Sequence, residues 1–595
     1  MKKKIIIISA GLILAGVIAV AIIVAGSSRS RNSAMKTPYL PDVIADYVYS
    51  EKAGLPCFSA ESGFYDDSFS LNISAEGGEI FYTLDGTDPA FSGSAIHYEK
   101  PLEIYDNTDD ANRLSAEGDI VLSYYNAPDY RVDKGMIVRA AVKDSGGCFG
   151  KTVTKSYFVG KMKDYYEDLK VISLVTNPYN LFDPDYGIYA VGNSYYQWKS
   201  SDSFDPHMED WRKENPTNYN KDGKDWERPA VIQVFERGEL VYEQNLGIRL
   251  SGNVSRSNAQ KSIRLYAREE YGDDKLRYEF FDNLKDINGN PIEKFDKITL
   301  RNEGNDTTAA FLRDELVQSL CEGLDVGIQA EQPCILFIDG EFWGMYHIKE
   351  RIEDYYFASH YDVDRKNVTF IKCTDTEGSS EIIREYEEFY RWAMTADLSL
   401  EENYGRVADT IDLKSLMDYF AIETYINNYD WLYVGRDPNN IIMWRVNETA
   451  EGNPYADGRW RFVLYDMEYS ANLYGQEGTK PEYNSFENIS REPDVSNPGA
   501  LFSRLLDNSS FREDFCANYY EIMDNNFNPD LVESWINEYT GLTGEAIADT
   551  FQRFMNEKNG KGYLDYHLRD VLNFYKQRPE FAKMYLDELR NRSGL

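Results

Sequence analysis

The sequence predicts an α+β protein in which an all-β sandwich precedes a long mixed region and a single apolar helix stands at the N-terminus. Three observations predict this. Short alternating runs, broken by Gly and Asp-Gly turns, fill residues 56–160. Apolar strand-like runs and helical periodicities then follow one another from 165 to 595 with no composition break. Met-Lys-Lys-Lys is followed by an apolar stretch from Ile5 to Gly26.

That stretch of 22 residues spans roughly 33 Å as a helix, enough for one membrane crossing. A secretory signal has a shorter apolar region, about 7 to 15 residues, and Val24-Ala25-Gly26 is only a passable cleavage site. An uncleaved anchor over residues 1–26 is therefore the favoured reading, with secretion after cleavage as the alternative. Lys2, Lys3 and Lys4 place the N-terminus in the cytoplasm and the body outside the cell membrane, although Arg29, Arg31 and Lys36 weaken the bias. Residues 27–55 are polar, rich in small residues and aperiodic, and read as a linker.

Composition removes several function classes. With 100 acidic against 63 basic side chains the formal charge is −37, a field that repels phosphate backbones and excludes nucleic acid as a partner. The six cysteines are widely spaced, with no Cys-x-x-Cys and no histidine at ligand spacing, so a zinc motif is unsupported. Cys57 and Cys148 bracket the first folded region and are the pair to watch in an oxidising compartment, but buried free thiols are the simpler expectation. No Gly-x-Ser-x-Gly occurs, which disfavours serine hydrolase chemistry.

In the sandwich region, runs such as Ile80-Phe-Tyr-Thr-Leu, Leu102-Glu-Ile-Tyr, Ile120-Val-Leu-Ser-Tyr and Ile137-Val-Arg-Ala-Ala-Val read as strands, with Asp85-Gly86 and Gly146-Gly147 as turns. Gly146-Gly-Cys-Phe-Gly-Lys-Thr152 imitates a phosphate-binding loop, but Ser145 stands where the first glycine belongs and the context is strand to strand. It is expected to be a hairpin turn. Tyr82-Thr-Leu-Asp-Gly-Thr-Asp-Pro-Ala, with Tyr98, Pro101 and Val138-Arg-Ala-Ala-Val, resembles the immunoglobulin-like module at the C-terminus of chitobiases and β-hexosaminidases. That resemblance implies an accessory role and makes cell-wall carbohydrate a further candidate partner.

The long region holds the chemistry. Gly247-Ile-Arg-Leu-Ser-Gly-Asn-Val-Ser-Arg leads through a Gly/Ser turn to Lys261, at the start of a returning strand. Backbone N–H groups in such a turn can cradle phosphate oxygens, which makes Arg249, Ser255, Arg256 and Lys261 candidate ligand-binding residues. A solvated strand lysine is the bland reading of Lys261. Thr307 is the expected cap of a helix to Leu320, with Phe311, Leu312, Leu316 and Leu320 on one face. Glu315 on that helix is the candidate partner of Lys261, in the way a helix glutamate pairs a strand lysine in protein kinases, with Glu350 as competitor.

Cys334-Ile-Leu-Phe-Ile-Asp-Gly-Glu-Phe-Trp-Gly-Met-Tyr-His-Ile-Lys-Glu350 reads as a hairpin turning at Asp339-Gly340. Further on stand Asn428-Tyr-Asp-Trp and Leu464-Tyr-Asp-Met-Glu468. With Trp-Glu-Arg-Pro-Ala, Gln-Lys-Ser and Phe-Leu-Arg-Asp-Glu in the same order, residues 165–510 resemble the CotH kinase family, named for a bacterial spore coat protein. Helices over 511–595 complete the same domain. The resemblance implies an atypical, two-lobed protein-kinase-like fold that transfers phosphate from ATP to Ser or Thr of secreted or coat proteins, with Mg²⁺ as cofactor. Carried over by motif, Lys261 would hold the phosphates, Asp430 would orient or deprotonate the acceptor hydroxyl, and Asp466 would bind the metal. Asn440 would be a second metal ligand, with Asn439 as its alternative.

Relatives often carry Asp-x-Asp where this chain has Asp466-Met467-Glu468. Glutamate still offers two oxygens, but its extra methylene shifts them by roughly an ångström, and Mg²⁺ tolerates such error poorly. Mn²⁺ is therefore an alternative metal. Two other classes stand beside the kinase: a catalytically silent surface scaffold, and a carbohydrate-active protein, for which no carboxylate pair stands out by spacing. Apolar residues at helical spacing over 511–523, 529–539, 545–554 and 566–589 need no explanation beyond packing.

Overall fold

The computed structural model describes residues 49–160, 162–432 and 438–591. The expected N-terminal span and most of the linker lie outside the described residues. Among the described residues no helix is long and apolar enough to cross a membrane.

One sheet of 12 strands runs through both halves of the protein. In chain order its strands are β1 (Gly63–Tyr65), β2 (Glu79–Thr83), β3 (Ile96–His97), β4 (Met136–Lys143), β5 (Val153–Val159), β6 (Lys170–Val175), β7 (Arg228–Glu236), β8 (Glu239–Leu250), β9 (Ile263–Tyr266), β10 (Lys297–Arg301), β11 (Glu331–Ile338) and β12 (Glu341–Glu350). The spatial order is β7-β6-β11-β12-β10-β9-β8-β1-β5-β4-β2-β3, and β7 also pairs with β8. Strands β6 to β12 therefore close on themselves as a barrel. Alternation along each strand fills it: Ile172, Leu174, Ile232, Val234, Leu246, Ile248, Leu265, Ile298, Leu300, Leu336 and Ile348 share one core. The intervening Val171, Phe235, Ile335, Phe337 and Met345 join another.

The hairpin turn at Asp339-Gly340 has positive φ at both residues, 45° and 83°. This is the backbone twist that a two-residue turn between antiparallel strands requires. A Cβ at Gly340 would lie 2.1 Å from the carbonyl oxygen of Gly135, so the turn also abuts the N-terminal module.

That module is a sandwich. Strands β1 to β5 form one layer, and the pairs Cys57–Phe58 with Ile73–Ser74 and Phe69–Leu71 with Leu102–Ile104 form the other. Leu71, Ile73, Ile80, Ile104, Val138, Ala140, Val142 and Tyr157 pack between them. Residues 144–152 are a turn between β4 and β5, as expected of the false phosphate loop. The run from Ile120 is not a strand: Ile120 and Val121 are buried in the barrel core, part of an excursion that leaves the sandwich to reach the barrel. Cys57 and Cys148 are exposed free thiols, which corrects the expectation of burial for these two, while Cys321, Cys334 and Cys516 are buried.

Beyond the barrel lie a small sheet, Asp375–Glu377, Val368–Lys372, Ile442–Val446 and Arg461–Val463 in spatial order, and a set of helices. Five carry the argument: α1 (Arg313–Leu320), α2 (Leu413–Ile426), α3 (Ser509–Asn525), α4 (Pro529–Met555) and α5 (Gly560–Arg590). The two periodic segments expected at 529–539 and 545–554 are one helix, α4. Gly541 inside it meets nothing within 4 Å of a Cβ position, so it costs helix propensity but breaks nothing. Helix α4 packs on β12, where Met345 N–H donates to Thr550 Oγ1 at 2.8 Å.

Candidate functional site

Strand β10 ends at Arg301, strand β12 ends at Glu350, and the loop Tyr465–Glu468 follows the last strand of the small sheet; the three converge on one cleft. Five cationic side chains line it, Arg264, Arg301, Lys349, Arg351 and Lys372, with Ser251, Asp314, Glu350 and Asp466. It is narrow, about 40 Å³.

One oxygen each of Asp314, Asp466 and Glu468 lie within 4.8 Å of one another. Asp466 is held in the left-handed backbone region, φ 66°, an unfavourable conformation for a residue with a Cβ that aims its carboxylate back at β10. Arg301 donates to Asp466 Oδ1 at 2.5 Å and also pairs with Glu468. Glu468 Oε1 accepts the N–H of Asn305 at 2.7 Å. A Cβ at Gly304 would lie 1.9 Å from that oxygen, so only glycine leaves room for the carboxylate. Asp314 accepts from Met467 N–H at 3.2 Å and Gln318 at 3.1 Å, and pairs with Lys349.

Burial alone would raise the Asp314 carboxyl, but Lys349 and Arg301 outweigh it and hold it below the usual range. Glu468 is pushed well above its ordinary value, first by burial and then by Asp466 beside it, against the pull of Arg301. Burial opposes the charge on Arg301, yet Asp466 and Glu468 keep that guanidinium more firmly protonated than in water. Three carboxylates of this kind are a hard oxygen donor set, the set a divalent cation of the Mg²⁺ class takes. The residues present fit such an ion.

A second buried layer lies behind. Lys349 bridges Asp314 to Glu331. Burial pushes Glu331 up to about 8. His347 stands between Glu303, 2.5 Å from Nδ1, and Glu315, 2.7 Å from Nε2.

Asp430 follows α2, on a loop adjoining the one that carries Asp466: Tyr429 N–H donates to Tyr469 O at 2.8 Å and the two rings stack at 5.7 Å. Asn440 Nδ2 donates to Asp430 O at 3.0 Å and to Asp430 Oδ2 at 3.4 Å. The spacing of ten residues is thus bridged directly, and Asn440 is bonded to Asp430 and not grouped with the acid cluster.

The Gly/Ser turn departs from expectation. Lys261 is fully buried, and its ammonium donates to the carbonyls of Arg256 at 2.6 Å and Asn258 at 2.7 Å, 4.1 Å from the centre of the Tyr219 ring. It is neither a solvated strand lysine nor a group facing the acid cluster. Burial, then Arg256, depresses it well below the ordinary lysine value. Arg256 donates to four carbonyls, of Gly252, Tyr219, Lys221 and Leu250, and to Asp222. Both residues hold the turn from behind. Arg249 pairs with Glu227 at 2.7 Å and stacks on Tyr266, and Ser255 sits in the same turn, its backbone carbonyl accepting from Asn258 N–H at 3.1 Å. Glu315 faces His347, and Glu350 accepts from His360 at 2.8 Å, so neither pairs Lys261. The lysine and acid that do meet at the cleft are Lys349 and Asp314. Both stand inside motifs legible in the sequence, one residue from the positions singled out. Arg301 opens the run Arg301-Asn-Glu-Gly-Asn-Asp306, whose residue types alone do not single it out.

A family model described as CotH kinase protein matches residues 248–582. The chain belongs to the CotH kinase family. The matched span begins in β8 and ends in α5, so it includes the Gly/Ser turn, the acid cluster, Asp430 and the closing helices. A second model, described as Fn3 associated, matches residues 69–157, the sandwich. No curated protein matches the chain significantly. CotH membership makes this a kinase-like protein, for which ATP and a divalent metal are the general requirements.

Proposed function

We propose that this CotH kinase transfers the γ-phosphate of ATP to Ser or Thr hydroxyls of secreted or surface proteins, from a body held outside the cell membrane by residues 1–26. The observation that carries the reading is the meeting of three carboxylates and five cationic side chains at one cleft, in a chain of net charge −37. Cations gathered in so acidic a protein select a polyanion. Asp314, Asp466 and Glu468 would hold Mg²⁺, or Mn²⁺ given the glutamate, which when bound supplies charge neutralisation to the phosphates. Asp314 takes the place that the motif carry-over assigned to Asn440.

Lys349, Arg264, Arg351 and Lys372 bind phosphate oxygens, while Asp430, steadied by the Asn440 amide, orients the acceptor hydroxyl and takes its proton. The new bond joins that hydroxyl oxygen to the γ-phosphorus. The bond broken is the one from the γ-phosphorus to the β–γ bridging oxygen, and ADP leaves with that electron pair.

One observation favours a second reading, a silent scaffold: the cleft is only about 40 Å³ and Arg301 spans Asp466 and Glu468 across it. Labelled ATP with Mg²⁺ or Mn²⁺ separates the two. The kinase labels itself or a partner, and Asp466→Ala lowers labelling by on the order of 100-fold or more, a loss typical of removing one strong transition-state interaction. Equal labelling by the variant would overturn the metal role, and absence of metal-dependent nucleotide binding by the wild type would favour the scaffold.

A further inference from the structure

Behind the cleft, six carboxylates, of Asp314, Asp466, Glu468, Glu303, Glu315 and Glu331, meet Arg301, Lys349 and His347. Burying carboxylates is costly unless cationic side chains, protons or metal ions offset them.

Three of these groups form a donor set separate from the one at the cleft. One ligand atom each of Glu303, Glu331 and His347 lie within 4.8 Å of one another. Among the described residues, Glu303 is fully buried and its Oε2 has no partner; Glu331 Oε1 meets only the Lys349 ammonium and its Oε2 has no partner, and His347 Nδ1 meets only Glu303 Oε1. Glu303 Oε1 and His347 Nδ1 approach to 2.5 Å without the geometry of a hydrogen bond. Without a metal the two are an ion pair, and a cation can take the place of the proton between them. On the far side of the ring, Nε2 faces the Glu315 carboxylate at 2.7 Å and the Tyr539 hydroxyl. That is the outer partner a metal-bound imidazole takes, because it fixes the proton on Nε2 and leaves the Nδ1 lone pair pointing inward.

We propose that Glu303, Glu331 and His347 bind a second divalent cation, buried behind the cleft and distinct from the cluster at Asp314, Asp466 and Glu468. One imidazole and two carboxylates suit Zn²⁺ or Mn²⁺, whereas Mg²⁺ and Ca²⁺ prefer oxygen alone. Two ligands on one ion at about 2.1 Å stand at most about 4.2 Å apart, so small side-chain shifts complete the shell. The ion ties the end of β10 to β11 and β12 and, through Glu315, to α1. Its role is structural, and the proposal does not rest on phosphotransfer.

The test is metal counting and X-ray absorption on the full chain loaded with Zn²⁺ or Mn²⁺ alone, without nucleotide, and then desalted. The wild type should retain an ion with a nitrogen ligand. Asp466→Asn should keep that ion, and Glu303→Gln should lose it. An all-oxygen ligand set in the wild type, or a folded Asp466→Asn chain that holds no ion, overturns the proposal and leaves the charge to be balanced by protons. The wild-type spectrum decides even if a variant fails to fold.

Discussion

Glu423 shows how one residue sets a pH response. It lies in α2, fully buried, and burial pushes its carboxyl up to about 8 against the opposing Asn428 and Tyr419 contacts. The folded chain therefore holds a proton that the unfolded chain releases near the ordinary value of 4.5. A raised carboxyl contributes stability that is fully present below the unfolded value and is lost as pH rises through 8. Glu423→Gln copies the protonated form, so urea unfolding should show little change at pH 5 and a gain on the order of 1 kcal/mol or more at pH 8. The same pH slope in both proteins would contradict this. The same scale explains what the sequence hid. Asp430, Asp466 and Glu468 are legible because they sit in loops directly after apolar elements. Glu350 against Lys349, and Glu315 against Asp314, are matters of phase: neighbours on a strand or helix point to different faces, and only the packed structure says which face meets the cleft. The carbonyls that claim Lys261 are local, those of Arg256 and Asn258, but its burial is long-range, since the Tyr219 ring closes the pocket.

Among the elements, α1 depends on a cap the sequence did not reveal. Thr307 was the expected cap of a helix starting there, but the helix starts at Arg313. Asp306 does the work instead, accepting from the N–H groups of Ala310 at 3.0 Å, Leu312 at 2.9 Å and Arg313 at 3.0 Å, and pairing with the Arg313 guanidinium. A side chain reaching four to seven residues ahead, across a 3-10 segment, has no fixed sequence signature of the kind a capping box has. Asp306→Ala would leave three buried N–H donors without a partner and a buried guanidinium without its carboxylate, held only by the Ala471 carbonyl at 3.3 Å. The expected loss is about 3 to 5 kcal/mol by chemical denaturation. Since α1 carries Asp314, nucleotide binding should weaken in parallel; a loss below about 1 kcal/mol would mean that the cap is dispensable.

For the whole molecule, the sandwich and the barrel are joined too closely to behave as beads on a string. Glu341, at the start of β12, accepts from Arg113 N–H at 2.6 Å, Ser115 N–H at 2.7 Å and Ser115 Oγ at 2.5 Å. Ile120 and Val121 enter the barrel core, and Ser156 donates to Gln233 at 2.6 Å. The alternating strands and their turns made the sandwich legible, but this excursion reads as one more strand because burial in a neighbour's core leaves the same apolar pattern. Calorimetry of the described region should give a single transition, and Glu341→Ala should lower its midpoint without splitting it. Two separated transitions would show that the halves fold independently.

The central claim is that Asp430 and the Asp314, Asp466 and Glu468 cluster serve one nucleotide in different roles. It is tested most directly by measuring metal-dependent ATP binding and γ-phosphate transfer side by side in Asp430→Asn and Asp466→Asn. Asp430→Asn should bind ATP as the wild type does and transfer at least about 100-fold more slowly, while Asp466→Asn should lose both. Wild-type transfer by Asp430→Asn, or undiminished metal-dependent binding by Asp466→Asn, would contradict it.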